Sequence, residues 1–203
     1  MPVFNFDFNR SITRIDLPAE RSGILIPNLT SLELHAAEMD RFNALVRRFA
    51  PERPPFTLDQ IAGAARRVLR AAHQGEESAF IKVRMRRAGE LRAAARDRQW
   101  ERSPERVDDV RDLLDYLDAG VGLIPNHIPV IGLLDDAILV DVAMDRLRGE
   151  LDDYADFCRY RIAEAASRGV AVEAVAVDRA QWFEERQREH RLEQQLRRVR
   201  ATR

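Results

Sequence analysis

GLIPNHIPVIGLLDD, residues 122–136, is the stretch on which the reading of the whole chain turns. It sets two prolines, two glycines, a histidine and two adjacent aspartates in an otherwise aliphatic run. Pro125 and Pro129 have no amide to donate, and each biases the isoleucine before it, Ile124 or Ile128, away from helical angles. A backbone passing through an apolar run must still satisfy its hydrogen bonds, and Asn126, Asp135 and Asp136 are the side chains on hand. Either aspartate at a helix start would accept orphan amides, contributing about 0.5–2 kcal/mol as a cap. Gly132 is expected to lend the backbone freedom for a tight turn. The stretch is thus expected to be a rigid corner, with aliphatics inward and capping acids outward.

Working outward, both flanks are helical. Ser103-Pro104-Glu105 is a helix start: a capping hydroxyl, proline in the first turn, then an acid near the positive end. Val107, Val110, Leu114, Leu117 and Val121 follow in one apolar stripe. After the corner, Leu133, Ala137, Val140, Met144, Leu147, Leu151, Tyr154 and Cys158 keep three-four spacing into a long helix ending near Gly169. Gly149 inside it costs about 1 kcal/mol relative to alanine and marks a place to bend or break.

Further upstream, residues 31–49 read as a helix stopped by PERPP at 51–55. Thr57 with Gln60 forms a capping box for a second helix to about His73. Residues 77–100 read as a third, Arg-rich helix. The first 29 residues differ: VFNFDF (3–8) alternates and GILIP (23–27) is a short apolar run, both suited to short strands or an extended arm. VAVEAVAV (170–177) suits a third strand or a buried connector, and Asp178 caps a last helix carrying Trp182 and Phe183.

Composition agrees with helices. Of 203 residues, 45% are hydrophobic and 33% charged, with nine glycines and nine prolines. The net charge of −1 gives the whole molecule no pull towards nucleic acid or anionic lipid. The single cysteine, Cys158, rules out an intramolecular disulfide framework and suits a reducing compartment. It lies on the apolar stripe, as a buried small hydrophobe would. The amino terminus lacks the pattern of a signal peptide, and no apolar run approaches the roughly 18 residues that span a bilayer. A soluble cytoplasmic protein is expected.

YLDAGVGLIPNHIPVIGLLDDAILVDVA resembles the YkvA-like family, a small bacterial domain of unknown function, over about residues 113–150. The family's signature runs close to DLIPD, a short spacer, IPVIG and LDD. Ile124, Pro125, Ile128, Pro129, Gly132, Asp135 and Asp136 match it, whereas Gly122 and Asn126 stand where the signature has aspartates. The resemblance implies a helix, a proline-shaped turn and a second helix packed as a hairpin. It implies no established activity. If the family's acids jointly held a cation, two of them are missing here.

Several functions compete for the polar groups. His127, Asp135, Asp136 and Asp141 lie close in sequence, and histidine with carboxylates can bind zinc, manganese or iron. Their spacing is no known ligand motif, and adjacent aspartates diverge by about 100° on a helix. From Glu101 to Asp156, fifteen acids face five arginines, a local charge of −10. The Arg-rich helix with Lys82, Arg84, Arg86, Arg87, Arg92, Arg96 and Arg98 is expected to neutralise them; otherwise the acidic face meets a basic partner. Nucleic acid is disfavoured, since only Trp100 offers a stacking ring beside those bases. Peripheral membrane contact is disfavoured because the corner's polar face is acidic. Phosphate loops, dinucleotide fingerprints and Ser-His-Asp patterns are absent, so no cofactor is expected. Leu192, Leu196 and Val199 form a thin apolar seam on the last helix, fit for a partner helix or self-association.

The expectation is therefore a mainly α protein: a helical bundle around a proline-turn hairpin, with a short extended or β-like N-terminal arm. The arm covers 1–29, the helical domain 30–169 with the hairpin at 113–150, and a connector with a charged helix 170–203. The expected function is a non-enzymatic helical interaction or scaffold module. The alternative is a metal-dependent hydrolase using His127, Asp135 and Asp136.

Overall fold

Helices dominate this computed structural model, which describes residues 12–16, 31–100, 104–120 and 122–201. They are α1 Ala36–Phe49, α2 Leu58–His73, α3 Ala79–Arg96, α4 Pro104–Asp118, α5 Leu134–Arg168 and α6 Arg179–Ala201. The chain is mainly α, as expected. A two-stranded antiparallel ribbon precedes them: β1 Ile12–Asp16 pairs with β2 Ser31–His35, Ile12 opposite His35 and Asp16 opposite Ser31. The strands expected at 3–8 and 23–27 lie outside the described residues.

Residues 31–35 correct the sequence reading. Leu32 and Leu34 alternate with Ser31 and Glu33, which fits period two as well as the start of a helix. Leu34 is fully buried, and α1 begins only after His35, whose backbone is extended. Thr57 caps α2 as expected: its hydroxyl accepts from the Gln60 amide at 3.3 Å, and the Gln60 side chain accepts from the Thr57 amide at 2.9 Å. α3 ends at Arg96 rather than 100. The Asp97 carboxylate accepts from the Gln99 amide at 3.0 Å and turns the chain there, so Trp100 stands beyond the helix. Ser103, the expected cap of α4, lies outside the described residues. α5 runs through Gly149 unbroken for 35 residues, and Gly169 follows it with φ +67, the left-handed stop common after helices.

Two compact units divide the chain: residues 1–89 with 108–146, and residues 90–107 with 147–203. These boundaries differ from the three consecutive segments expected. A helix of 35 residues extends about 50 Å, too long for one core of this size, and α5 like α3 supplies a stretch to each unit.

In the first unit, Phe42 of α1 meets Phe56 edge-on at 5.7 Å and Tyr116 of α4 at 6.4 Å. Asn43 pins the loop before α2 by donating to the Phe56 carbonyl at 3.0 Å and accepting its amide at 2.8 Å. The buried face of α4 carries Val110, Leu113, Tyr116 and Leu117. It is rotated from the expected stripe, so Leu114 is only half-buried. The second unit is built on aromatics: Trp100 lies 5.2 Å from Phe157, 5.4 Å from Tyr154 and 5.6 Å from Trp182. Val175 and Val177 close this core. Of the two readings for 170–177, the connector is observed, with one 3-10 turn at Val172–Ala174.

Candidate functional site

The corner between α4 and α5 satisfies its backbone largely from within. Pro125 and Pro129 accept at their carbonyls, from the Ile128 amide at 3.0 Å and the Ile131 amide at 2.9 Å. Gly132 N–H donates to Ile128 at 2.9 Å, and Leu134 N–H to Ile131 at 2.9 Å. Two further donors, at the corner's entrance, are met by side chains. Leu123 N–H donates to the Tyr116 oxygen at 3.2 Å, and Ile124 N–H to Asp135 Oδ2 at 3.2 Å. The Tyr116 hydroxyl then donates to that same Asp135 oxygen at 3.1 Å.

This overturns one expectation. The acids were to cap outward, yet Asp135 has no solvent exposure and Asp136 is also buried. Asp135 stands in the first turn of α5 and reaches back eleven residues to Ile124 and nineteen to Tyr116, tying the corner to α4. Burial pushes its carboxyl above the usual carboxylate range, against the bonds from Ile124 and Tyr116, which pull it down. Burial also raises the Tyr116 phenol, reinforced by the nearby Asp135 charge.

Gly132 has a different role from the one expected. A β-carbon on Gly132 would sit 2.5 Å from the Asn126 carbonyl oxygen and 2.7 Å from that of Ile128. A β-carbon on Gly122 would sit 2.5 Å from Asp135 Oδ2. Both glycines therefore supply room rather than backbone freedom. The residue that does take a left-handed backbone is Val130, with φ +73, a conformation unfavourable for a β-branched side chain.

His127 is exposed and Asn126 half-buried. Asp141 is engaged by Arg84, at 2.9 Å from Nε and 2.6 Å from Nη2. Among the described residues, no three His, Cys, Asp or Glu side chains gather where an ion could be held. The structure thus brings Asp135 to Tyr116 and Ile124, not to His127.

Asp109 and Asp112 of α4 are paired from other helices than expected. Asp109 meets Arg48 of α1 at 2.7 Å and Arg146 of α5 at 3.2 Å, and Arg48 also pairs with Asp112. In the second unit, Glu150 is buried and accepts from Trp100 Nε1 at 3.0 Å and from both Arg179 nitrogens at 2.9 and 3.1 Å. Arg179 also lies over the Trp100 ring at 4.3 Å. Asp156 accepts from Trp182 Nε1 at 3.0 Å and Arg186 Nε at 2.6 Å.

Tyr116 and Glu150 were not singled out from the sequence. A tyrosine on an apolar stripe was a usable signal, because a buried hydroxyl needs a partner. For Glu150 the signal was its place among Leu147, Leu151 and Tyr154.

Compared with family models, curated proteins and solved structures, this chain matches none. The likeness of residues 113–150 to the YkvA-like signature rests on the motif residues alone.

Proposed function

We propose that this protein is a non-enzymatic helical interaction module that presents its C-terminal helix to a helix of a partner protein or of a second copy. The observation that carries this reading is α6. From Gln187 to Ala201 every residue is exposed, yet Leu192, Leu196 and Val199 recur at three-four spacing with 57–58% of their surface open. Helices without tertiary support are marginal in water, and a seam of this kind is what a second helix covers. The first turns are anchored: Trp182 is buried, and Asp178 accepts the Gln181 amide at 2.8 Å while its own amide donates to the Gln181 side chain at 3.1 Å.

The buried acids favour the same reading. Asp135 and Glu150 are engaged in holding backbone and side chains, which leaves them ill placed for chemistry on a substrate. The YkvA-like hairpin is part of the proposal, supported by the proline corner and by Gly132 and Asp135 within it. So is a cytoplasmic location, supported by the lone cysteine and by the absence, among the described residues, of a helix long and apolar enough to cross a membrane.

The test is photo-crosslinking in the native cell from a benzophenone side chain placed at Leu196, with Arg188 as the control position. The reading expects one dominant adduct from position 196, lost when Leu192 and Val199 are both changed to glutamate. Equal, diffuse labelling from both positions would contradict it.

A further inference from the structure

In the first unit a groove of about 520 Å³ opens between α2, α3 and α5. Sites for small molecules range over about 300–1,000 Å³. The groove's apolar lining includes Val68, Ile138 and the rings of Phe56 and Phe80, all half-buried, over the buried Ile61, Leu134 and Val142.

Gly63 and Ala64 of α2 also line the groove, where larger side chains would narrow it. Gly63 answers no backbone demand. Its β-carbon would meet only Arg67 Nη1, at 3.6 Å, an ordinary contact. Glycine inside a helix costs about 1 kcal/mol relative to alanine. The fold would be better served by a larger residue; the open groove is served by glycine.

The charge in the groove has a sign. Asp141 is neutralised by Arg84, which also stacks on Phe80 at 4.4 Å. Arg53 lies over the Phe56 ring at 4.6 Å, and neither it nor Arg67 has a carboxylate partner among the described residues. Against these two guanidiniums stands one further acid of the lining, Asp59. The excess is positive, beside an apolar surface bordered by aromatic rings.

We propose that this groove binds a small organic acid. Its apolar or aromatic body rests on Val68, Ile138 and the rings of Phe56 and Phe80, and its carboxylate pairs with Arg67. Guanidinium groups suit this role because their paired donors match a carboxylate.

The probe is 4-phenylbutyrate, titrated into the isotope-labelled full chain and followed by amide NMR shifts. 4-Phenylbutylamine, with the same body and the opposite charge, is the comparison. The proposal expects saturable shifts confined to residues 61–68 and 138–142, with the amine at least about tenfold weaker. Arg67→Ala, an exposed change, should weaken the acid about tenfold, while Arg70→Ala on the same helix leaves it unchanged. Gly63→Leu should abolish binding while the thermal midpoint is kept. No saturable shift in these residues, equal binding of the amine, or undiminished binding by Arg67→Ala would each overturn the proposal.

Discussion

A carboxyl group with no solvent exposure must be hydrogen-bonded, neutral or both. Asp135 is such a group, and its folded value is raised by burial. An acid raised in the folded state contributes stability that is complete below its unfolded value, 3.8, and is lost as pH rises through the folded value. Asp135→Asn keeps an acceptor for Ile124 and Tyr116 and does not titrate. Thermal unfolding should therefore favour the variant increasingly as pH rises from 3.8 towards neutrality; a difference independent of pH would refute the raised value. Asp135→Leu strands the Ile124 amide and the Tyr116 hydroxyl and should cost about 1–3 kcal/mol for each. Gly132→Ala forces a methyl group onto two carbonyl oxygens, and a loss of about 1–3 kcal/mol or more is expected in denaturant melts. Val130→Gly removes left-handed strain at an exposed site, and the same melts should show no loss and a gain of up to about 1 kcal/mol.

At the scale of elements, the legible features were those set by neighbours in sequence. The Thr57–Gln60 capping box, the proline start of α4 and the glycine after α5 are local chemistry, and the structure has all three. Thr57→Ala should cost about 1 kcal/mol, read as a shift in the denaturant midpoint. What local pattern could not decide was direction. Nothing within the quoted motif says that Asp135 turns inward, because its partner Tyr116 lies nineteen residues away. Leu32 and Leu34 fit both periods, and pairing with β1 selects the strand. The paired charges were equally hidden: sequence showed an acidic stretch and an Arg-rich helix, but Arg48 and Arg146 meet Asp109 only through tertiary contact.

At the scale of the molecule, each unit rests on a buried acid held by donors. In the second unit Glu150 joins Trp100 and Arg179, and Glu150→Ala strands the buried Trp100 indole N–H, so a loss of about 1–3 kcal/mol is expected in thermal or denaturant melts. In the first unit Asp135 of the proline corner ties α5 to the Ile124 amide and to Tyr116 of α4. Thermal unfolding of the purified protein and of Asp135→Asn/Asp136→Asn, in EDTA and then in excess magnesium, manganese, zinc, iron or calcium, separates this structural role from ion binding. An ion bound to the native state at about 100 times its dissociation constant adds about 2.7 kcal/mol. The unaltered protein is expected to keep the same midpoint in EDTA and in each metal. A rise specific to one metal that disappears in the double variant would contradict it.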